Sequence, residues 1–384
     1  MTTHSINSLR KAYKEKKLTL FLGAGVSMGS KLPSWEKLVL LMYFNKISEE
    51  QMHGWRPFSN YLYAIAEWHL KNSSEPLEVT ARKLRKHYTD SEQNLFIKDL
   101  YSMLYGTFFE IGYPEVQISK NFLRNNNTTL DAIAKLCEAP GKGVNAVVTY
   151  NYDSLVEIAL EALGPQIIFR QIKENEKLKA EKLPIFHVHG YVPLDDYKNG
   201  SKSEEIVFTE DQYHIIAEDH YSWSNLVQLQ LLSNTTGLMV GLSLTDRNVR
   251  RLLDAVQHSP INSTNYALLQ KPDTKRPDDE VLDQIHQKAK EYLIDFEKSG
   301  LKTNIHQDGI LFLRPGYKSA YPSIKSSRSA EKGPQYRAEI SGIIEQVNLI
   351  NQDQQEFVLK QLGITPIWYD HHSEIPDIIN EIIE

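Results

Sequence analysis

The sequence predicts an α/β fold, an open and mostly parallel sheet with helices on both faces. Three observations lead there. Apolar runs of strand length alternate with stretches of helical spacing along most of the 384 residues. The first run, Leu18 to Leu22, passes straight into Gly23-Ala24-Gly25 and a helical stretch. Each later run also ends on polar or glycine residues, at the edge where an open parallel sheet holds its ligands.

Taken in order, residues 5–16 read as a helix leading into strand 18–22. Ser34 is placed to cap a helix running to about residue 45. Four helical stretches follow, at 58–70, 76–88, 91–105 and 128–138, with no strand between them. Tyr61, Ile65, Trp68 and His69 share a face of the first. Residues 46–139 thus form a helical insertion or small domain, and 1–45 with 140–384 form the sheet domain. Strands are expected at 144–149, 166–170, 184–189, 237–240, 266–270 and 364–369. Helices are expected after Ser154 and at 221–233, 278–299 and 374–383. Thr209 to Gln212, TEDQ, matches a capping box, and Asp246 is placed to cap the helix NVRRLLDAVQH. The stretch 309–334, rich in Pro, Ser, Gly and Lys, reads as a long loop or arm.

Composition narrows the function. The formal net charge is -6, without a long basic block, which argues against direct nucleic-acid binding by the isolated chain. The single cysteine, Cys137, makes neither an internal disulfide nor a cysteine-rich zinc site. The N-terminal residues lack a secretory apolar core, and no apolar run spans a bilayer. A cytoplasmic protein is the expectation.

The chemistry-bearing residues sit at the strand tips. Gly23 and Gly25 would let backbone N–H groups approach a pyrophosphate, and Ser27 would add a hydrogen bond. A tightly packed strand-to-helix turn is the competing reading. The common dinucleotide fingerprint has a third glycine where this chain has Met28. Asn151 and Asp153 follow strand 144–149; Asp153 directly precedes a helical pattern, so a helix cap competes with a chemical role. His187 and His189 would share a face of strand 184–189, and a neutral histidine suits base chemistry at pH 7. No carboxylate or third histidine stands at ligand spacing beside them, so no metal is expected. Gly241 and Ser243 end strand 237–240, and Asp370 follows the last strand.

The order Gly-Ala-Gly-x-Ser (23–27), Asn-x-Asp (151–153), His-Gly (189–190) and Gly-x-Ser (241–243) resembles the sirtuin-type NAD-binding fold. The resemblance is closer to the bacterial sirtuin-like NAD-consuming proteins of antiviral defence than to protein deacetylases. The Gly-Ala-Gly-x-Ser variant accommodates Met28. The resemblance covers 18–45, 144–258 and the last strand. It implies a Rossmann-like sheet, NAD as substrate, and cleavage of the nicotinamide–ribose bond. By family position Asn151 holds the ribose or a water, Asp153 helps bind the carboxamide, and His189 is the base. Gly23, Ala24, Gly25, Ser27, Pro33, Gly241, Ser243 and Asp370 would line the cofactor pocket. The family's Asp-Phe-Arg after the glycine loop is absent, and so is the four-cysteine zinc module of protein-deacylating sirtuins. Water is therefore the favoured acceptor, ahead of ADP-ribosyl transfer and deacylation. The layout implies a homo-oligomer and a HerA-type ATPase as partner, with the 309–334 arm as a candidate contact. The rival readings are a scaffold that senses NAD or ADP-ribose without cleaving it and a DNA-processing subunit.

Overall fold

The computed structural model describes residues 2–51, 59–88, 93–110, 126–138, 143–164, 169–172, 174, 182–194, 206–258, 264–272, 278–285, 287–288, 304–306, 309–311 and 334–384. They divide into two compact units, one of Met1–Gln270 with Val358–Glu384 and one of Lys271–Phe357.

The first unit holds a seven-stranded parallel sheet. Its strands are β1 (Leu18–Leu22), β2 (Val144–Thr149), β3 (Phe169–Ile172), β4 (Leu183–His187), β5 (Thr236–Val240), β6 (Asn265–Gln270) and β9 (Ile364–Tyr369). Their order across the sheet is β3-β4-β2-β1-β5-β6-β9. This is an α/β, Rossmann-like arrangement, as the alternation of strands and helices predicts.

β1 is buried along its whole length, as a central parallel strand must be. Its side chains alternate between two cores. Leu18, Leu20 and Leu22 pack into one, and Phe21 into the other. β2 repeats the split, with Val147 on the first side and Ala146 and Val148 on the second.

The first core is closed by α1 (Thr2–Lys14), α3 (Trp35–Gln51), α6 (Gln93–Glu110), α7 (Thr128–Glu138), α8 (Leu155–Leu163) and α13 (Ile375–Ile383). The second is closed by α10 (Trp223–Asn234) and α11 (Arg247–Gln257), with Leu359 and Leu362. Between β1 and α3 lies the short α2 (Ala24–Met28). Two further helices, α4 (Ser59–Asn72) and α5 (Leu77–Leu84), follow α3, and α9 (Glu210–Glu218) precedes α10.

The helical segment expected at 46–139 contributes Leu84, Leu100 and Leu104 to the first core, so it packs within the same compact unit as the sheet. The face shared by Tyr61, Ile65 and Trp68 turns outward. These residues are exposed, while Ala66 is the buried side of α4. Ser34 accepts from Lys37 N at 3.2 Å, and Thr209 forms its capping box with Gln212.

The second unit contains a hairpin of β7 (Asn304–His306) and β8 (Gly309–Leu311). A long helix, α12 (Pro334–Gln361), begins in it. The arm expected from residue 309 therefore starts as a strand, and 312–333 lie outside the described residues. So do 286 and 289–303, which take in about half of the helix expected at 278–299. Among the described residues no helix is long and apolar enough to cross a membrane.

One steric constraint anchors the sheet's carboxyl edge. A Cβ on Gly25 would meet the Gly241 Cα at 2.7 Å, and one on Gly241 would meet Val26 N at 2.6 Å. Gly241 also stands at φ +69°, a left-handed conformation that side chains disfavour. Gly241→Ala should destabilise the first unit by about 2–4 kcal/mol, from strain and overpacking together. A fall in its urea midpoint would register this; an unchanged midpoint would contradict the close packing.

Candidate functional site

Register puts four loops side by side. Leu22 pairs with both Thr149 and Val240, and Thr149 pairs with His187. The strands β4, β2, β1 and β5 thus finish level. The residues after them, 188–190, 150–153, 23–27 and 241–246, emerge together at the carboxyl edge, neighbours about 4.8 Å apart.

Asn151 and Asp153 converge on Ser27. The Asn151 amide donates from Nδ2 to the Gly23 carbonyl at 3.0 Å and to Ser27 Oγ at 3.1 Å. Ser27 in turn donates to Asp153 Oδ2 at 2.8 Å. Asp153 Oδ1 accepts from Leu155 N, the first amide of α8, at 3.0 Å, so Asp153 binds the start of that helix, just ahead of its N-cap Ser154, and belongs to the polar cluster at once. A carbonyl only accepts, so the amide nitrogen of Asn151 must face Gly23. Its Oδ1 is thereby directed away from these groups as an acceptor. All three side chains are buried. Burial raises the Asp153 carboxyl to about 6, with the charge of Glu157 adding to the rise; the bonds from Ser27 and Leu155 hold it back.

His189 lies in the next loop and is 5 % exposed. Its ring stands edge-on to Tyr150 at 5.1 Å and to Tyr213 at 5.6 Å. Its Nε2 is buried and has no hydrogen-bond partner among the described residues. Burial lowers its pKa, against the opposing charge of Asp246, so the ring is neutral at pH 7. A neutral imidazole with an uncommitted nitrogen can accept a proton.

Several expectations need correcting. His187 and His189 do not share a strand face. β4 ends at His187, because Gly190, at φ +100°, folds back with its N–H on the His187 carbonyl at 3.3 Å. Gly23 N donates to Val240 O and Gly25 N to Gly241 O, each at 3.0 Å, so these amides are spent inside the protein and do not face a pyrophosphate. Their lack of a side chain serves the packing against Gly241 and Leu242, just after β5. Ser27 is buried and gives its proton to Asp153, so it organises the cluster. Ala24 and Pro33 are half-buried, and Ser243 is exposed with its hydroxyl on Thr245 at 2.7 Å. Asp370 follows β9 at the far edge of the sheet, three strand spacings or about 14 Å from β1, and is not brought to the cluster.

The structure adds residues that the sequence reading passed over. Glu157 is buried on the first turn of α8, with Oε1 at 2.6 Å from His187 Nε2. Its signal was present in SLVEIALEAL, where Glu157 is the first of two acids in an otherwise mostly apolar stretch, four residues after Asp153 and so on the same helical side. Tyr213 comes from α9 and has no sequence signature. Asp246 caps α11 through Val249 N at 2.9 Å, as its position predicts, and its charge also faces Tyr150, Tyr213 and His189. Among the described residues no group of three His, Cys, Asp or Glu could hold a metal.

Level strand tips of a parallel sheet thus gather Asn, Asp and a neutral His, and comparison with known proteins can be set beside that arrangement. Residues 145–294 match the family model described as SIR2-like domain. The chain is similar to Defense-associated sirtuin 2 of Bacillus subtilis, 25% identical over 255 residues. That match covers 66% of this chain and 20% of the relative, so the chain spans about a fifth of that protein's length. A solved structure titled "Structural Basis for the Mechanism and Regulation of Sir2 Enzymes" matches at 15% identity and a TM-score of 0.29, covering 69% of this chain and 86% of the other.

Asp153 carries a stability cost of known sign. Its folded carboxyl, at about 6, lies above its ordinary value of 3.8, so the folded state holds the proton more tightly. Stability falls as pH rises between these values, by about 3 kcal/mol in all, and stays lower above them. Asp153→Asn should therefore raise stability at pH 7.5 by about 1–3 kcal/mol, with the gain shrinking below pH 4. Urea denaturation at the two pH values tests this; destabilisation at pH 7.5 would show the carboxylate to be favourably held.

Proposed function

We propose that this chain hydrolyses NAD, breaking the nicotinamide–ribose bond to give nicotinamide and ADP-ribose. The observation that carries the reading is the convergence at one sheet edge of the Asn151–Ser27–Asp153 chain and the unpartnered Nε2 of a neutral His189.

In this reading the bond from ribose C1′ to the nicotinamide nitrogen breaks with its electron pair leaving on nicotinamide. The ribosyl centre gains oxocarbenium character, and water adds its oxygen at C1′. The proton released passes to His189 Nε2. Asn151 Oδ1 accepts a hydrogen bond from the water or from a ribose hydroxyl. Asp153, ionised above about pH 6, holds the Ser27 hydroxyl and through it the Asn151 amide. Water as acceptor is supported by the cysteine count: with Cys137 alone, the four-cysteine module of protein deacylases has no counterpart.

Similarity to Defense-associated sirtuin 2 of Bacillus subtilis supports a role in defence, in which depletion of NAD would be the effect on an infected cell. The assembly part of the proposal, a homo-oligomer working with a HerA-type ATPase, rests on the sequence resemblance.

Nicotinamide release from NAD is the test, measured for the protein alone and with an ATPase partner. Asn151→Ala and His189→Ala should each lower the rate by about 10²–10⁴-fold. NAD binding without release in either state would favour the sensing scaffold instead. Release that survives both substitutions would place the chemistry elsewhere.

A further inference from the structure

The geometry points to Glu157 and His187 as positioning residues that fix His189 relative to Asn151 and Asp153, an inference that rests on the NAD-hydrolysis reading of the same site. Neither side chain reaches the cluster's open side; they are 3% and 0% exposed. Their contact, Glu157 Oε1 to His187 Nε2 at 2.6 Å, is one hydrogen bond. Glu157 Oε2 and His187 Nδ1 have no further partner among the described residues, so this bond alone secures the pair.

A buried acid–imidazole pair is a poor way to stabilise a fold. Two well-packed apolar residues in its place are often neutral or more stable. What it does supply is direction, and the elements it joins are the two halves of the site. Glu157 sits on α8, whose first amide is bound by Asp153, two residues beyond Asn151. His187 is the last residue of β4, and its carbonyl receives the N–H of Gly190 across the turn that carries His189.

Backbone bonds link the same two segments, Val188 N to Thr149 O at 3.2 Å and Val192 N to Tyr152 O at 2.6 Å. These set the separation of the segments, and Val207 N, on the His189 carbonyl at 2.9 Å, ties the turn to the chain ahead of α9. The Glu157–His187 bond acts from below the turn, and Tyr191 closes the other side of the His187 ring at 4.3 Å. The turn is thus held at residue 187 by a side chain and at residues 189 and 190 by the backbone, and the Glu157–His187 bond is the side-chain hold among them. The His189 ring nitrogen Nε2 stays without a partner among the described residues.

The decisive variant is the double substitution Glu157→Leu/His187→Phe, which removes both polar groups and leaves no unpaired buried charge. Its urea midpoint should equal or exceed that of the wild type. Its kcat for nicotinamide release should fall about 10–100-fold, the usual scale for losing a supporting hydrogen bond, with KM within about threefold. Glu157→Gln keeps a hydrogen bond to His187 and should retain kcat within about threefold of wild type.

A second readout does not need turnover: the rate at which diethyl pyrocarbonate modifies His189, followed by mass spectrometry. It should rise severalfold in the double variant and stay at the wild-type rate in Glu157→Gln. If the wild type releases no nicotinamide, the hydrolysis reading fails, and the modification rates still decide the positioning role. A stable double variant with wild-type kcat would overturn the inference. So would a loss confined to KM, an unchanged modification rate, or a Glu157→Gln variant as impaired as the double one.

Discussion

The approach of two backbones at Gly25 and Gly241 governs the rest of the site. At 2.7 Å between an imagined Cβ and the opposing Cα, no side chain fits on either strand tip. That contact seats the short helix after β1 against the turn after β5. Seating the helix there delivers Ser27, two residues on, to the point where Asn151 and Asp153 meet. The polar cluster is thus a consequence of packing at the centre of the sheet. Gly25 acts through the protein's own backbone, and its amide is occupied by the Gly241 carbonyl.

The cluster then runs against stability in one place and is braced in others. Asp153 is buried with one hydroxyl and one amide as partners, too few to hold its carboxyl at an ordinary pKa. His189 is buried with an orphaned nitrogen. Both are arrangements that folding alone disfavours. Around them several backbone groups are held by side chains: Tyr105 donates to Val192 O at 2.7 Å and Tyr152 to Val207 O at 2.6 Å, and Leu194 N donates to Ser154 Oγ at 3.0 Å. Groups that break a rule of folding, gathered at one sheet edge, are the pattern expected of a site prepared for chemistry.

Much of this was legible in the sequence, for identifiable reasons. β1, β2 and β9 were bounded correctly because a buried parallel strand is an uninterrupted apolar run ended by a glycine or polar residue. Asn151, Asp153 and His189 stood out because they follow such runs. What was lost depends on contacts between distant segments. The partner of Gly25 is 216 residues away in sequence, and nothing local in Gly-Ala-Gly-x-Ser separates a backbone packed on Gly241 from one facing a phosphate. His187 and His189 read as one strand face because alternation says nothing about the turn that Gly190 imposes. Asp370 followed a strand tip like the others, but strand order, which periodicity does not encode, puts β9 at the sheet's edge. The face of Tyr61, Ile65 and Trp68 showed correct helical spacing, and spacing alone does not say which side of a helix is buried.

The central claim is that water takes the ribosyl group. Incubating the protein with NAD in ¹⁸O-labelled water and weighing the products tests it most directly. The account predicts free nicotinamide and ADP-ribose carrying one ¹⁸O at the ribose C1′ hydroxyl. Unlabelled ADP-ribose attached to protein or nucleic acid, or NAD recovered intact under all conditions, would contradict it.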